Sequence, residues 1–251
     1  MKKINFLFIF LLSGFLSMAQ SDKDWDLLVI REDVVEPSAT VSYEGALADI
    51  TSFFKENNIQ DANYLTQLQD NYHYTHIFKL GELDLLDKGL MAYVSAPDKQ
   101  TELQLLIDNM NSNLVSSKMM VVKYMPGLSY VPNENNWLDK QPYRRWNYFY
   151  FFPGTEKDVE QVLLTWKTLY QSKGVKYGFR VFKGVVGTDN PVYILTTWAA
   201  DPLAYQQNLQ DNMKKLGDEG AKAWISMMGL VRDAETVEGW YLPQYSYIPA
   251  K

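Results

Sequence analysis

Two histidines are the residues best suited to chemistry, and both lie in one short segment. His73 and His76 fall on a predicted strand over residues 72–80. Because the side chains of a strand alternate between its two faces, a spacing of three residues points the imidazoles in opposite directions. A metal ion shared by both is therefore excluded unless the strand carries a bulge. Parity puts His76 on the face of Tyr72 and Tyr74, which we expect to be the interior of a barrel, and directs His73 to the helices or an edge.

Aromatic residues with polar tips form the second candidate group. They alternate along one predicted strand and so share a face: Trp146, Tyr148, Tyr150 and Phe152. The strand predicted over residues 176–183 places Arg180 on the same face as Phe182. Rings with polar tips around one arginine suit a mostly apolar ligand that carries an anionic group. They suit equally a packed core whose tyrosine hydroxyls bond to the backbone. The candidate ligand-binding residues are therefore Tyr72, Tyr74, His76, Trp146, Tyr148, Tyr150 and Arg180.

The composition excludes several classes of function. The chain has 251 residues, no cysteine and a formal net charge of -6. The absence of cysteine removes disulfides, thiolate catalysis and cysteine-based zinc or iron–sulfur sites. The acidic balance argues against a nucleic-acid partner. No phosphate-binding loop, G-x-S-x-G elbow or H-E-x-x-H motif occurs, so we assign no catalytic residue and predict no metal site.

The first twenty residues have the pattern of a secretory signal peptide. Lys2 and Lys3 precede an apolar stretch over residues 6–16, and small residues follow at positions 17–19. The apolar stretch is shorter than the roughly 20 residues that a membrane-spanning helix needs. The pattern predicts an exported soluble protein, periplasmic or extracellular, with no membrane anchor after removal of residues 1–20.

An internal repeat divides the rest of the chain. Residues 124–132 (YMPGLSYVP) match residues 241–249 (YLPQYSYIP) position by position, and the tripeptide Asp-Asn-Met at 108–110 recurs at 211–213. Self-similarity at this spacing predicts two duplicated domains. We therefore expect module 1 over residues 21–132, a linker over 133–142 and module 2 over 143–251.

Each copy shows the same predicted order of elements, β-α-β-β-α-β, which is the ferredoxin-like order. In the first copy, strands are predicted over 25–32, 64–69, 72–80 and 119–124, with helices from 37 to about 58 and over 101–113. In the second copy, strands are predicted over 146–152, 176–183, 192–199 and 236–241. Its helices are predicted from Thr155, with a capping-box-like start at Asp158, to Gly174, and then over 202–216 and 221–228.

Several predicted strands are apolar on both faces, as residues 27–30 and 148–152 show, and such strands must be buried on both sides. The simplest solution packs the open sheet faces of the two modules against each other. The element order and the duplication resemble the dimeric α/β-barrel superfamily, which includes the antibiotic-biosynthesis monooxygenase, EthD and NIPSNAP-like groups. The resemblance implies an α+β fold of two tandem ferredoxin-like modules, packed sheet to sheet as a pseudo-two-fold α/β barrel.

Three functions remain open from the sequence. The first is binding of a small apolar or aromatic ligand between the two modules. The second, implied by the superfamily, is a cofactor-independent or haem-dependent oxygenase-like enzyme. The third is a structural or interaction protein with an exposed apolar patch. We predict no cofactor, with haem on a histidine ligand as the alternative that the superfamily implies, and we expect a monomer because duplication supplies the pairing internally.

Overall fold

The computed structural model describes residues 27–80, 86–132 and 140–249. The predicted signal peptide and residues 133–139 of the predicted linker lie outside these ranges. Eight antiparallel strands close into a barrel in the order β1-β3-β2-β8-β5-β7-β6-β4. The strands are β1 (Leu27–Val35), β2 (Tyr64–Gln69), β3 (His73–Lys79), β4 (Leu114–Tyr124), β5 (Tyr143–Phe151), β6 (Arg180–Val186), β7 (Val192–Ala199) and β8 (Val231–Tyr241). The α-helices are α1 (Thr40–Glu56), α2 (Pro97–Asn111), α3 (Glu156–Ser172) and α4 (Pro202–Met228).

Three hydrophobic clusters divide the core by layer. One fills the barrel interior, where the Trp146 and Phe182 rings stack with centroids 6.1 Å apart. A second lies between the first four strands and helices α1 and α2, and a third lies between the last four strands and helices α3 and α4. Apart from the exposed first halves of β4 and β8, most strand residues are therefore covered on both faces of the sheet, as the apolar strand sequences require.

The predicted bounds of a strand agree best with the observed bounds where apolar and polar residues alternate regularly. Strands β2 and β7 have the predicted bounds. Strands β4 and β8 begin earlier than expected, at Leu114 and Val231, because their first halves are exposed and carry no apolar alternation, and pairing with β1 and β5 holds them. The predicted capping box at Thr155 was wrong, since its hydroxyl donates to the carbonyl of Phe152 instead of accepting from the helix.

Helix α4 is broken at Gly217. Its φ of 56° and ψ of -145° lie outside the helical region, and only glycine adopts such a φ without strain. The residues before and after it form two helical segments, which correspond to the two helices predicted at 202–216 and 221–228.

The two halves of the barrel meet at two seams, β2 with β8 and β4 with β6. The repeated nine-residue segment reinforces each seam from the opposite half. After β4, Tyr130 exchanges backbone hydrogen bonds with Phe179, which precedes β6. After β8, Tyr247 exchanges the same pair of bonds with Tyr64 at the start of β2.

A serine performs the same task in each copy of that segment. The Ser129 hydroxyl accepts the buried Val181 backbone N–H at 2.9 Å, and the Ser246 hydroxyl accepts the buried Thr66 N–H at 2.8 Å. Each hydroxyl donates in turn to the carbonyl four residues before it in the sequence. The repeat therefore closes the barrel twice by one mechanism.

Replacing Ser129 or Ser246 by alanine is expected to lower the free energy of unfolding by about 1–3 kcal/mol, because each change leaves a buried backbone N–H without its acceptor. The two losses should be similar, since the bonding is equivalent. Urea unfolding followed by circular dichroism measures both. Ser112→Ala, which removes an exposed hydroxyl, serves as the control and should change stability by less than about 0.5 kcal/mol. A Ser246→Ala variant as stable as this control would contradict the assigned role.

Candidate functional site

The structure distributes the seven candidate residues over three places. Trp146, Tyr148, Tyr150 and Arg180 share the inner face of the barrel. Tyr74 and His76 lie on the outer face of β3, against helix α1. Tyr72 lies in the β2–β3 turn at a φ of 64° and is 74% exposed. The candidates therefore do not form one site.

The expected orientation of β3 was wrong. The alternation of side chains correctly groups Tyr74 with His76 on one face of β3. Ile77, however, belongs to the interior cluster, so Tyr74 and His76 face outward. His73 shares the inward face of Ile77, where its Nδ1 lies 2.6 Å from a Glu32 carboxylate oxygen. Alternation states only which residues share a face. The docking of α1 decides which face is covered by helices.

The inward-facing candidates take part in packing. The Trp146 indole N–H donates to the Gln67 side-chain oxygen at 3.1 Å. Burial raises the pKa of Tyr148, and the nearby Glu32 and Glu235 carboxylates raise it further. Arg180 lies over the Trp198 ring at 5.4 Å. Two large cavities lie elsewhere, between the barrel and its helices.

The first cavity, of about 700 Å³, lies between the first four strands and helices α1 and α2. Its wall is apolar over most of its extent and includes Leu47, Ile50, Phe78, Ile107 and Met110. Arg31 and His76, which are paired across β1 and β3, supply polar groups to the same wall.

A buried hydrogen-bond network lies at this wall, centred on Asp33. The carboxylate is fully buried and accepts from Arg31 Nε at 2.7 Å, from the Tyr43 hydroxyl at 2.8 Å and from the Ser117 hydroxyl at 2.5 Å. The Tyr43 hydroxyl is also 2.8 Å from Nε2 of His76. Tyr43 therefore links the imidazole to the carboxylate.

Burial decides the charge state of this network. It lowers the pKa of His76 to about 4, with Asp33 opposing the shift and Arg31 adding to it. Burial and then the Asp33 charge raise the pKa of Tyr43. At neutral pH, the imidazole is therefore uncharged and the phenol protonated. Sequence reasoning found His76 but missed Asp33 and Tyr43, which are 43 and 33 residues away along the chain.

The second cavity, of about 600 Å³, lies between the last four strands and helices α3 and α4. Its lining includes aromatic side chains from β5, α3, α4 and the segment before β6, among them Phe149, Trp166, Tyr170, Phe179 and Trp224. The two segments of α4 on either side of Gly217 both contribute to the wall. Polar groups are few, and the buried Asn212 amide is held by the carbonyl of Tyr177 at 3.0 Å.

Two features of the sequence pointed to the second cavity, but the alternation of strand faces alone did not identify them. Trp166 and Tyr170 lie four residues apart on the apolar stripe of α3, so they share one helix face. Phe149 lies on the face of β5 opposite to the candidate set. Trp224 could be placed only once the second segment of α4 was seen to fold over the sheet.

Neither the second cavity nor His76 offers a free histidine nitrogen as a ligand for haem. The residues lining the second cavity include no histidine. Both ring nitrogens of His76 are already within hydrogen-bond distance of Tyr43 and Thr66. On His73, the Glu32 carboxylate engages Nδ1. In the described part of the chain, no group of three histidine, aspartate or glutamate side chains is placed to hold a metal ion. Within the same ranges, no helix is both long and apolar enough to cross a membrane.

The stability of the fold should depend on pH through His76. Its pKa is about 4 when folded and about 6.5 in an unfolded chain, so its contribution is complete above pH 6.5 and is lost as the pH falls toward 4. The full loss corresponds to about 3 kcal/mol. Urea unfolding of the wild type and of His76→Gln at a series of pH values measures it, and the variant should show a shallower decline. Equal slopes for wild type and His76→Gln would refute the assignment.

Comparison with known proteins gives similarity at the level of structure alone. No protein-family profile and no curated protein sequence matches the chain. A monooxygenase-like protein from Lactobacillus acidophilus superposes with a TM-score of 0.57 at 8% identity, over 89% of this chain and 99% of that one. An anthrone oxidase-like protein gives a TM-score of 0.57 at 12% identity, over 88% and 92% of the two chains.

A third similar structure is chlorite dismutase from Candidatus Nitrospira defluvii in complex with imidazole. It superposes with a TM-score of 0.52 at 8% identity, over 87% of this chain and 91% of that one. Identities this low establish the fold and leave function open. The described residues share the barrel fold of these proteins.

Proposed function

We propose that this chain binds a small apolar or aromatic molecule in the second cavity. The observation that carries the proposal is a cavity of about 600 Å³ whose wall is largely apolar, with several aromatic side chains and few polar groups. Ligand sites are typically concave, mostly apolar and of this size. The site lies outside the barrel and within the second half, whereas the sequence suggested a site between the halves.

The ring geometry supports an aromatic ligand. Tyr170 meets Phe179 edge to face, with centroids 5.0 Å apart, and Phe149 meets Trp224 in the same way at 6.1 Å. Edge-to-face packing is also the arrangement that an inserted aromatic ring prefers. Trp224 is 46% exposed, so a ligand could bury it further. The burial of such apolar area contributes about 25 cal/mol per Å².

Replacing Trp224 by alanine is expected to weaken the binding of 1-naphthol about tenfold, because the ligand loses one aromatic wall, a loss of about 1.4 kcal/mol. Isothermal titration calorimetry measures the affinity. Trp240→Ala is the matched control, since Trp240 is 42% exposed and lies on β8 away from the cavity. Equal weakening in the two variants, or no saturable binding to the wild type, would argue against this site.

An oxygenase-like enzyme is the second candidate function. The similar structures include monooxygenase-like and anthrone oxidase-like proteins, and the aromatic cavity suits a polycyclic aromatic substrate. The haem-dependent form is disfavoured at this cavity because no histidine lines it. A cofactor-independent oxidation of anthrone would consume one O₂ and yield anthraquinone and water.

This candidate predicts oxygen consumption in the presence of anthrone above the rate of the uncatalysed reaction. An oxygen electrode and quantification of anthraquinone measure it, and Trp224→Ala should reduce the rate whereas Trp240→Ala should not. If 1-naphthol binds and no excess oxygen is consumed, the chain is a binding protein for this class of compound.

The remaining features of the proposal concern organisation and location. We propose that residues 21–132 and 143–251 are two ferredoxin-like modules, that residues 1–20 are removed on export, and that the mature chain is a monomer. The support is the equal strand order of the halves, β4-β1-β3-β2 and β8-β5-β7-β6, together with the repeated segment at both seams. Because each half supplies the other's seam, a second copy is not needed to close the barrel.

A further inference from the structure

When His76 is neutral, the hydrogen-bond network beside the first cavity has one proton fewer than its contacts need. The Asp33 carboxylate and the Tyr245 carbonyl can only accept hydrogen bonds. Tyr43 has one hydroxyl proton, and donating it to Asp33 obliges Tyr43 to accept from Nε2 of His76. The Thr66 hydroxyl donates to the Tyr245 carbonyl at 2.6 Å, and it must therefore accept from Nδ1 of His76 at 3.1 Å.

Both ring nitrogens must consequently be donors for all four contacts to be hydrogen bonds, and only an imidazolium has two N–H groups. A neutral imidazole leaves one of the contacts without its proton. The geometry thus favours protonation of His76, while burial opposes the charge and lowers its pKa to about 4. A further negative charge near His76 would shift this balance toward the protonated form.

Charged and titratable groups surround His76 on several elements. Strand β1 contributes Asp33 and Arg31, which neutralise each other at 2.7 Å. The others on the packed elements and the cavity wall are Tyr43 and Glu44 of α1, Tyr74 of β3, Tyr64 of β2, Tyr245 after β8, and Asp87 and Lys88 at the cavity edge. The Glu44 carboxylate accepts hydrogen bonds from the Tyr74 and Tyr245 hydroxyls. With a neutral imidazole, the Asp33–Arg31–His76 cluster has no net charge, and protonation alone would leave a buried positive charge.

Arg31 offers a position for an anion. Its guanidinium is fixed by Asp33 through Nε and by Asn111 through Nη2, each at 2.7 Å. The side chain is 20% exposed and lines the cavity next to His76. A carboxylate at Arg31 would continue into a cavity whose remaining wall is mainly apolar.

We propose that the first cavity binds an amphipathic monocarboxylic acid together with one proton, with the carboxylate at Arg31 and the proton on His76. The ligand enters as a carboxylate, and the proton comes from solvent onto the unprotonated ring nitrogen of His76, so the cluster gains one charge of each sign. The apolar chain of the acid lies against Leu47, Ile50 and Phe78. This site is independent of the second cavity and of the function proposed for it.

Octanoate is a suitable probe for the full chain. Calorimetry in phosphate and in Tris at one pH separates binding from buffer ionisation, and we expect uptake of close to one proton per octanoate bound. The affinity should then fall by close to tenfold for each unit of pH between about 5.5 and 7. The same tail without the charge, 1-octanol, should bind without proton uptake.

Two variants and one spectrum assign the proton. His76→Gln should abolish proton uptake, whereas His73→Gln should retain it. With ¹⁵N-labelled histidine, octanoate should shift the His76 ring nitrogens of the wild type toward imidazolium values, a measurement that does not require the variant to fold. Trp224→Ala should leave the proton uptake unchanged, so failure here is distinguishable from failure at the second cavity. Binding without proton uptake, uptake that persists in His76→Gln, or no binding of octanoate would overturn the proposal.

Discussion

Closure of the barrel depends on two short seams, and each is held by the segment that follows the last strand of the opposite half. Strands β2 and β8 pair over only three residues, from Gln67 to Gln69, so the ladder alone is brief. At Gly239 the backbone of β2 approaches so closely that an added Cβ would lie 2.4 Å from the Leu68 carbonyl oxygen. The serine and backbone bonds of the repeated segment extend each seam beyond the strands. A closed barrel has no exposed edge strand to pair with other chains.

Closure also determines where ligands can be accommodated. Large side chains from both halves, with Trp146 and Phe182 at the centre, fill the space inside the ring of strands. The outer face of each half is covered by two helices, and a helix pair packed on a twisted sheet leaves space beneath it. Both large cavities lie in that position. The same architecture therefore produces two cavities with different linings.

The two cavities differ in the chemistry they can support. The second is aromatic and offers contact area with little charge, which favours shape and stacking as the basis of recognition. The first has an arginine and a histidine on one wall, and the buried Asp33 carboxylate accepts a hydrogen bond from that arginine. A buried polar network is costly unless every member is satisfied. We propose that a ligand supplies the condition for this satisfaction, because its binding is accompanied by the proton that a neutral His76 lacks.

The sequence by itself determined most element types and their order along the chain, and it contained the repeated nine-residue segment, because these follow from local periodicity and from direct repetition. It also identified His76, Trp146 and Tyr148 as unusual residues. Tertiary structure decided which face of β3 is covered by α1, that Asp33 and Tyr43 meet His76, and that Trp224 folds over Phe149. Local patterns carry no information about contacts between distant segments, since these arise from how helices dock on the sheet. Parity fixes which residues share a face, and only packing fixes what that face meets.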